Sequence, residues 1–443
     1  MTLRFGTDGV RAHADELTPE FTARLGQAAA RVLGGPRLVV GMDTRASGPS
    51  IAAALAGGVQ AEGVEVDLLG VVPTPAVACL SARDGVPGAV ISASHNPWHD
   101  NGIKFFAPGG RKLRDDVEAR LEAELDALVH GATPVPAPVE LDGRDVAAVE
   151  AYEQAVLGAL EGRDLRGLSV VVDCANGAAS AVAPDVLRRL GAEVHVIHAE
   201  PDGRNINDGC GSTHPGDLQA AVVSTGAALG LAFDGDADRL LAVDEHGSLV
   251  DGDQLIAMCA LDLRARRLLP DDTVVVTVMT NLGFKLAMRD AGITVVETAV
   301  GDRYVLEALE DGGWGLGGEQ SGHIIFRQRA TTGDGLLTAV SVADLVQRSG
   351  APLSVHAAVM QRLPQVLVNV RVAERDPAIA EHIAPAIAAE EAALGETGRV
   401  LIRPSGTEPL VRVMVEAPTA ELAAAAADRL AAAVEAVAGG SAG

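Results

Sequence analysis

Three segments of this chain repeat one plan: an apolar run, a polar loop, a helical pattern, a glycine and a second apolar run. They are "LVVGMDTRASGPSIAAALAGGVQAEGVEVDLLG" from Leu38, "SVVVDCANGAASAVAPDVLRRLGAEVHVI" from Ser169 and "TVVVTVMTNLGFKLAMRDAGITVVET" from Thr273. Continuous valine-rich runs alternating with amphipathic helices are what a parallel sheet covered on both faces requires, with right-handed crossovers. The fold class is therefore α/β, with three related α/β domains of mixed, largely parallel sheets. From Leu363 the order changes to strand "QVLVNVRV", helix "PAIAEHIAPAIAAEEAAL", strands "RVLIR" and "LVRVMVEA", and a last helix. That order suits a smaller C-terminal α+β domain, the four enclosing a central cleft. The Pro-rich "HGATPVPAPVELDG" cannot continue a helix and marks the first connection. The expected domains are 1–142, 143–245, 246–362 and 363–443.

A net charge of −25 argues against a nucleic-acid or anionic-membrane surface, so any anionic ligand must rely on locally placed cations. Aromatics are only 2%, which leaves alanine, valine and leucine to fill the cores. Cys79, Cys174, Cys210 and Cys259 have no CxxC spacing and suggest neither zinc nor a disulfide framework. With no signal-like N-terminus and no apolar run of spanning length, a reducing cytoplasm is the expected compartment.

Four loops carry the chemistry. "FDGDADRLL" places Asp234, Asp236 and Asp238 at alternating positions, which in an extended segment would face one side. Hard oxygen ligands favour magnesium; the alternatives are a solvated acidic turn and a calcium loop. An EF-hand would need glycine where Arg239 stands, and helical flanks. In "VISASHNPWHDNGIKFF", Ser94 follows an apolar run and precedes a turn set by Pro97. A strand's carboxyl end is where open α/β sheets place ligands; Ser94 alone reads more readily as an ordinary loop hydroxyl, and its weight comes from its neighbours. Lys104 is one of only three lysines. Its pKa can be lowered for acid–base work, which an arginine cannot offer; a solvated strand-end charge is the bland reading.

"GLGGEQSGHIIF" sets Glu319, Ser321 and His323 on one short loop, suited to sugar hydroxyls or to an ordinary Gly-rich turn. "IRPSGTEPLVRV" joins two strands through Ser405, Gly406 and Thr407, flanked by Arg403 and Arg412. Exposed backbone amides and guanidinium forks can hold phosphate; a surface hairpin with incidental arginines is the alternative. No Walker or dinucleotide fingerprint is present, so a nucleotide is not indicated.

Together and in this order, from "RFGTDGVR" to "RPSGTEPLVRV", the motifs resemble those of the α-D-phosphohexomutase family. "FGTDGVR", "NINDGCGSTH", "AVGDRYVLEAL" and "GGEQSGH" are more similar to its glucosamine branch than to its mannose/glucose branch. The resemblance implies that Ser94 is a phosphoserine whose phosphoryl oxygen joins Asp234, Asp236 and Asp238 around one Mg2+ per chain. It implies that Glu319 and Ser321 grip sugar hydroxyls, and that the segment from Arg403 through Ser405, Gly406 and Thr407 to Arg412 holds the distal phosphate. Arg11, Lys104, Arg239 and His323 would line the reaction centre. The implied partner is a phosphosugar, the activator a sugar 1,6-bisphosphate, and the assembly a monomer or homodimer. The implied reaction interconverts glucosamine 6-phosphate and glucosamine 1-phosphate for amino-sugar nucleotide and cell-wall precursor synthesis. The same chemistry on glucose or mannose phosphates, a magnesium-dependent sugar phosphatase and a non-catalytic sensor are the rivals. Ala12, where glycine is common, and the pair Trp98-His99 depart from the pattern without touching a proposed reacting group.

Overall fold

The structure, a computed structural model, describes residues 6, 9–141, 145–373, 376–404 and 409–440. They fall into two compact units, one of residues 1–279 and 292–359, the other of 280–291 and 360–443.

The larger unit holds three sheets built alike. The first contains β1 (Val10–His13), β2 (Arg37–Met42), β3 (Glu65–Val71), β4 (Gly88–Ile91), β5 (Asp100–Ala107) and the short β6 (Arg111–Lys112), with main order β1-β5-β4-β2-β3. The second contains β7 (Ser169–Asp173), β8 (Glu193–Ile197), β9 (Leu229–Phe233), β10 (Leu240–Asp244) and β11 (Leu249–Val250), ordered β11-β10-β9-β7-β8. The third contains β12 (Thr273–Thr277), β13 (Thr294–Thr298), β14 (Leu316–Gly318) and β15 (Ile324–Phe326), ordered β13-β12-β14-β15.

Each sequence repeat forms a parallel strand pair: β2 with β3, β7 with β8 and β12 with β13. A third parallel strand follows on the other side, β4, β9 and β14 respectively. In every sheet that strand then turns back into an antiparallel neighbour, β5, β10 or β15. The central strands are fully buried, as in the "TVVVT" of β12, because layers on both faces exclude water. The first sheet's core is aliphatic, with Val40, Ile91, Leu25 and Leu55 in one cluster. β11 lies beyond residue 245 and still pairs with β10.

The smaller unit is an antiparallel sheet ordered β16-β18-β17, formed by β16 (Gln365–Arg371), β17 (Arg399–Pro404) and β18 (Leu410–Glu416). Its core joins Val411, Val413 and Val415 to Ala423, Ala427 and Leu430 of the last helix. The single helix expected before β17 is divided into Ile379–His382 and Ala384–Leu394. Pro385 has no N–H to continue the ladder and instead starts the second piece. Asn281 binds Leu363 and Glu416 in the same unit, with Asn281 Nδ2 donating to Leu363 O at 3.0 Å. No described helix is long and apolar enough to cross a membrane.

Candidate active site

The shared sheet plan places three of the four singled-out loops at one topological position. Ser94 lies between β4 and β5, the aspartates between β9 and β10, and Glu319, Ser321 and His323 between β14 and β15. Each is the turn from the third parallel strand into the antiparallel one. Sequence reading found the three loops but not their equivalence.

The first two turns touch. Ser94 Oγ donates to Asp234 Oδ2 at 2.6 Å, and Ser94 is 1% exposed. A Cβ built on Gly235 would lie 2.5 Å from Ser94 O, so only glycine permits this approach. Ser94 has φ +53°, a left-handed conformation that costs a serine energy and must be enforced by its surroundings.

The expectation that the aspartates lie along an extended segment is corrected. Residues 234–239 form a tight turn with Ala237 at φ +57° and Ala237 N bonded to Asp234 O at 3.0 Å. Convergence comes from the turn and not from strand alternation. All three carboxylates are buried, and each offers an oxygen within 4.8 Å of the others'. Burial, then the neighbouring charges of Asp236 and Asp238, push the Asp234 carboxyl well above the usual carboxylate range. Asp238 Oδ1 is buried without a hydrogen-bond partner among the described residues. An inward-facing hard-oxygen donor set with excess negative charge fits a small divalent cation.

Cations surround this cluster. Lys104 Nζ, on β5, lies 2.8 Å from Asp236 Oδ2 and 3.5 Å from Asp238 Oδ2, with only 3% of its side chain exposed. Arg239 follows the turn, its Nε 3.8 Å from Asp238 Oδ1. Burial alone would lower the Arg239 pKa, but Asp238, Asp234 and Asp236 outweigh it and raise it. Arg11 lies on β1 opposite Gly102 of β5. His95 Nδ1 is 3.3 Å from Ser94 Oγ. Burial, then Arg239 and Arg11, lower its pKa to about 4, so near neutral pH it is an uncharged partner.

The third turn packs onto the second: Leu240 N donates to Gly322 O at 3.0 Å, and a Cβ at Gly322 would collide with the Leu240 carbonyl. His323 Nε2 is 3.9 Å from Asp238 Oδ2 and 3.1 Å from Asp302 Oδ2. Burial works against its charged form, but Asp302 and then Asp238 prevail and raise its pKa. Glu319 Oε1 accepts from Gly301 N at 3.2 Å, and Ser321 Oγ is buried with no hydrogen-bond partner among the described residues.

In the smaller unit, Arg403 of β17 stands directly across from Arg412 of β18. Like charges facing each other across strands are unfavourable without an anion. Ser405, Gly406 and Thr407 lie outside the described residues.

Several contributors were missed. Arg45 and Asn207 both bind the Ser94 turn, Thr74 Oγ1 donates to Asp236 Oδ2 at 2.6 Å, and Lys112 pairs with Asp302 at 2.5 Å. Arg45 follows β2 in "GMDTRASG", so its position at a strand's carboxyl end was a usable signal. Asn207 lies in the quoted "NINDGCGSTH", which signalled the segment but not its partner; Thr74 and Lys112 act across the sheets and carry no local pattern.

A chain of three like α/β sheets and a small antiparallel one, with a buried serine against a carboxylate cluster, defines a class of multidomain α/β protein built for charge-dense ligands. The family models for phosphoglucomutase/phosphomannomutase match it in order: alpha/beta/alpha domain I over 2–130, II over 150–247, III over 251–363 and the C-terminal domain over 367–433. The chain belongs to this family, the α-D-phosphohexomutases. It is 55% identical to a phosphoglucosamine mutase of Thermobifida fusca over 97% of this chain and 98% of the relative. It is 54% identical to one of Frankia alni over 98% and 99%. Among solved structures, a phosphoglucomutase/phosphomannomutase family protein of Burkholderia thailandensis superposes with TM-score 0.78 at 26% identity, covering 97% of both chains. An N-acetylphosphoglucosamine mutase of Aspergillus fumigatus, in complex with GlcNAc-6P and magnesium, shares the fold with TM-score 0.70 at 19% identity, covering 99% and 96%.

Proposed function

We propose that the protein is an isomerase that interconverts glucosamine 6-phosphate and glucosamine 1-phosphate by moving a phosphoryl group through Ser94. The observation that carries this reading is the 2.6 Å contact between Ser94 Oγ and Asp234 inside the buried carboxylate cluster. Relatives sharing more than half their residues over nearly the full length support the amino-sugar substrate. The four proposed domains are 1–142, 143–245, 246–362 and 363–443.

In the resting enzyme Ser94 carries the phosphoryl group. The free hydroxyl of the sugar phosphate attacks phosphorus, the Ser94 Oγ–P bond breaks, and a sugar 1,6-bisphosphate forms. After the intermediate reverses, Ser94 Oγ takes the other phosphoryl group and the isomerised monophosphate leaves. Positioning and charge neutralisation dominate such transfers. Asp234, Asp236 and Asp238 would hold Mg2+ together with a phosphoryl oxygen, and the bound ion supplies neutralisation of charge developing on the transferring group.

Lys104 and His323, both buried beside the cluster, are suited to exchange the proton of the attacking hydroxyl and that of Ser94. Arg11 and Arg239 add positive charge where the phosphoryl group would sit. Glu319 and Ser321 Oγ, which has no hydrogen-bond partner among the described residues, are suited to sugar hydroxyls. Arg403 and Arg412 carry phosphate-holding charge in the smaller unit, with Ser405, Gly406 and Thr407 between them. Sugar 1,6-bisphosphate serves as activator by restoring a lost phosphoryl group. The four cysteines are free, and a reducing cytoplasm is the proposed compartment.

The test is kcat/KM for glucosamine, glucose and mannose 6-phosphates with Mg2+ and catalytic sugar bisphosphate. A preference for glucosamine 6-phosphate, with no inorganic phosphate released, is expected. Faster turnover of glucose or mannose phosphate, or phosphate release in place of isomerisation, contradicts the reading.

A further inference from the structure

The residue that would carry phosphate is held by its backbone from three sides. Ser94 N donates to Ser92 Oγ at 2.9 Å, and Ser92 Oγ donates to Asp43 Oδ2 at 2.6 Å. Arg45, 1% exposed, donates through Nη2 to Ser94 O at 2.9 Å and to Asn96 O at 2.8 Å. Its Nη1 donates to Asp100 O at 3.0 Å and also to Pro97 O, and its Nε donates to Asp43 Oδ2 at 2.9 Å. Asn207 arrives from beyond β8, in another sheet, and its Nδ2 donates to the same two carbonyls, Ser94 O at 2.9 Å and Asn96 O at 3.0 Å. Its own backbone is fixed by Asn207 N to Ala175 O at 2.9 Å. None of these groups touches the reacting atoms, yet all bear on one left-handed peptide.

Resting on the reading that Ser94 is the phosphoryl carrier, we infer that Asn207 is a positioning residue for Ser94. With Arg45, it anchors the Ser94 and Asn96 carbonyls, so that Oγ stays aimed at the aspartate cluster. Asparagine suits this position, because a two-hydrogen amide can serve two carbonyls at once and the residue tolerates its own φ of +58°. Arg45 anchors from within the first sheet's own loops. Asn207 ties the turn to the segment following β8, so the second sheet supplies both the carboxylates and a brace for the hydroxyl that faces them.

Arg45 is a poor probe, because removing it leaves Asp43 buried without its charge partner and threatens folding. Asn207→Gly keeps the left-handed backbone and loses both donors; Asn207→Asp keeps the shape and loses both donors. Steady-state turnover and the rate of Ser94 phosphorylation by sugar 1,6-bisphosphate, read by intact mass, are measured on both variants and on the wild type. Misplacing a reacting group by about 1 Å costs about 10²-fold. Both rates are therefore expected to fall by about 10- to 100-fold in both variants, with KM for the sugar phosphate and half-saturating Mg2+ held within about twofold. A general loss of structure would move those binding constants as well. Unchanged rates in Asn207→Gly, or a raised KM with kcat retained, overturns the inference while leaving the mutase reading intact. A wild type that isomerises no hexose phosphate overturns both.

Discussion

Asp173 closes β7 and Asp234 follows β9, two adjacent strands of one sheet, yet the two carboxylates meet burial in opposite ways. Asp173 is capped by backbone amides, with Ala175 N on Oδ1 and Gly211 N on Oδ2, both at 2.9 Å, and His198 Nδ1 stands 3.1 Å from Oδ2. Asp334, in the third sheet's segment, follows the same rule: it accepts from Leu337 N at 2.9 Å and Tyr152 Oη at 3.1 Å, capping the helix Gly335–Ser349. Asp234 accepts one backbone amide, Arg239 N at 3.2 Å, but it faces two further carboxylates, and the trio is balanced chiefly by the charges of Lys104 and Arg239. Buried carboxylates ringed by amides organise the chain. Buried carboxylates facing one another are destabilising unless a cation arrives, and such a cost persists where function requires it.

The largest effect expected is in the functional cluster. Ser94→Ala removes the proposed phosphoryl carrier; intact mass should show no phosphoryl adduct, and turnover should fall by more than about 10³-fold. Retained turnover would erase the distinction between the two kinds of site. Next comes the amide-capped type. Asp173→Ala strands two buried N–H groups, at about 1–3 kcal/mol each, so denaturant unfolding should show a loss of about 4 kcal/mol, with half-saturating Mg2+ little changed.

Asp334 offers a pH test of the same type. Burial raises its carboxyl to about 6, with the amide and tyrosine contacts only partly offsetting. The folded protein therefore holds this proton more tightly than the unfolded chain. Stability from this group is fully present below about pH 4 and is lost as pH rises through about 6. A separation of about two pH units corresponds to about 3 kcal/mol. Asp334→Asn should lack that limb in unfolding measurements from pH 4 to 7. For the carboxylate cluster, Mg2+ at 100 times its Kd should stabilise the wild type by about 2.7 kcal/mol. Asp234→Asn, relieved of one like charge, should be more stable than the wild type without metal and gain nothing from Mg2+ in thermal melts.

Much of this contrast could be read before any coordinates. The valine-rich runs specified the three parallel pairs, because a strand buried on both faces admits few other residues. The aspartate spacing and the Ser94 turn pointed to the two loops that meet. The left-handed Ala237 that makes the carboxylates converge was not legible, since alternation in an extended segment satisfies the same spacing. Nor were Thr74 and Lys112, whose partners lie 162 and 190 residues away in sequence, while "NINDGCGSTH" marked the segment of Asn207 but not its partner 113 residues away. The break at Ile383 was available from Pro385 and was overridden by the apolar pattern on either side.

The central claim is that the Ser94 hydroxyl lies within reach of a cation held by Asp234, Asp236 and Asp238. Phosphorus NMR of the phosphorylated enzyme, titrated with paramagnetic Mn2+ in place of Mg2+, measures that proximity directly. The expected result is loss of the phosphoserine resonance at one equivalent of Mn2+ in the wild type and its survival in Asp234→Asn. A resonance that stays sharp in the wild type while Mn2+ is bound would contradict the claim.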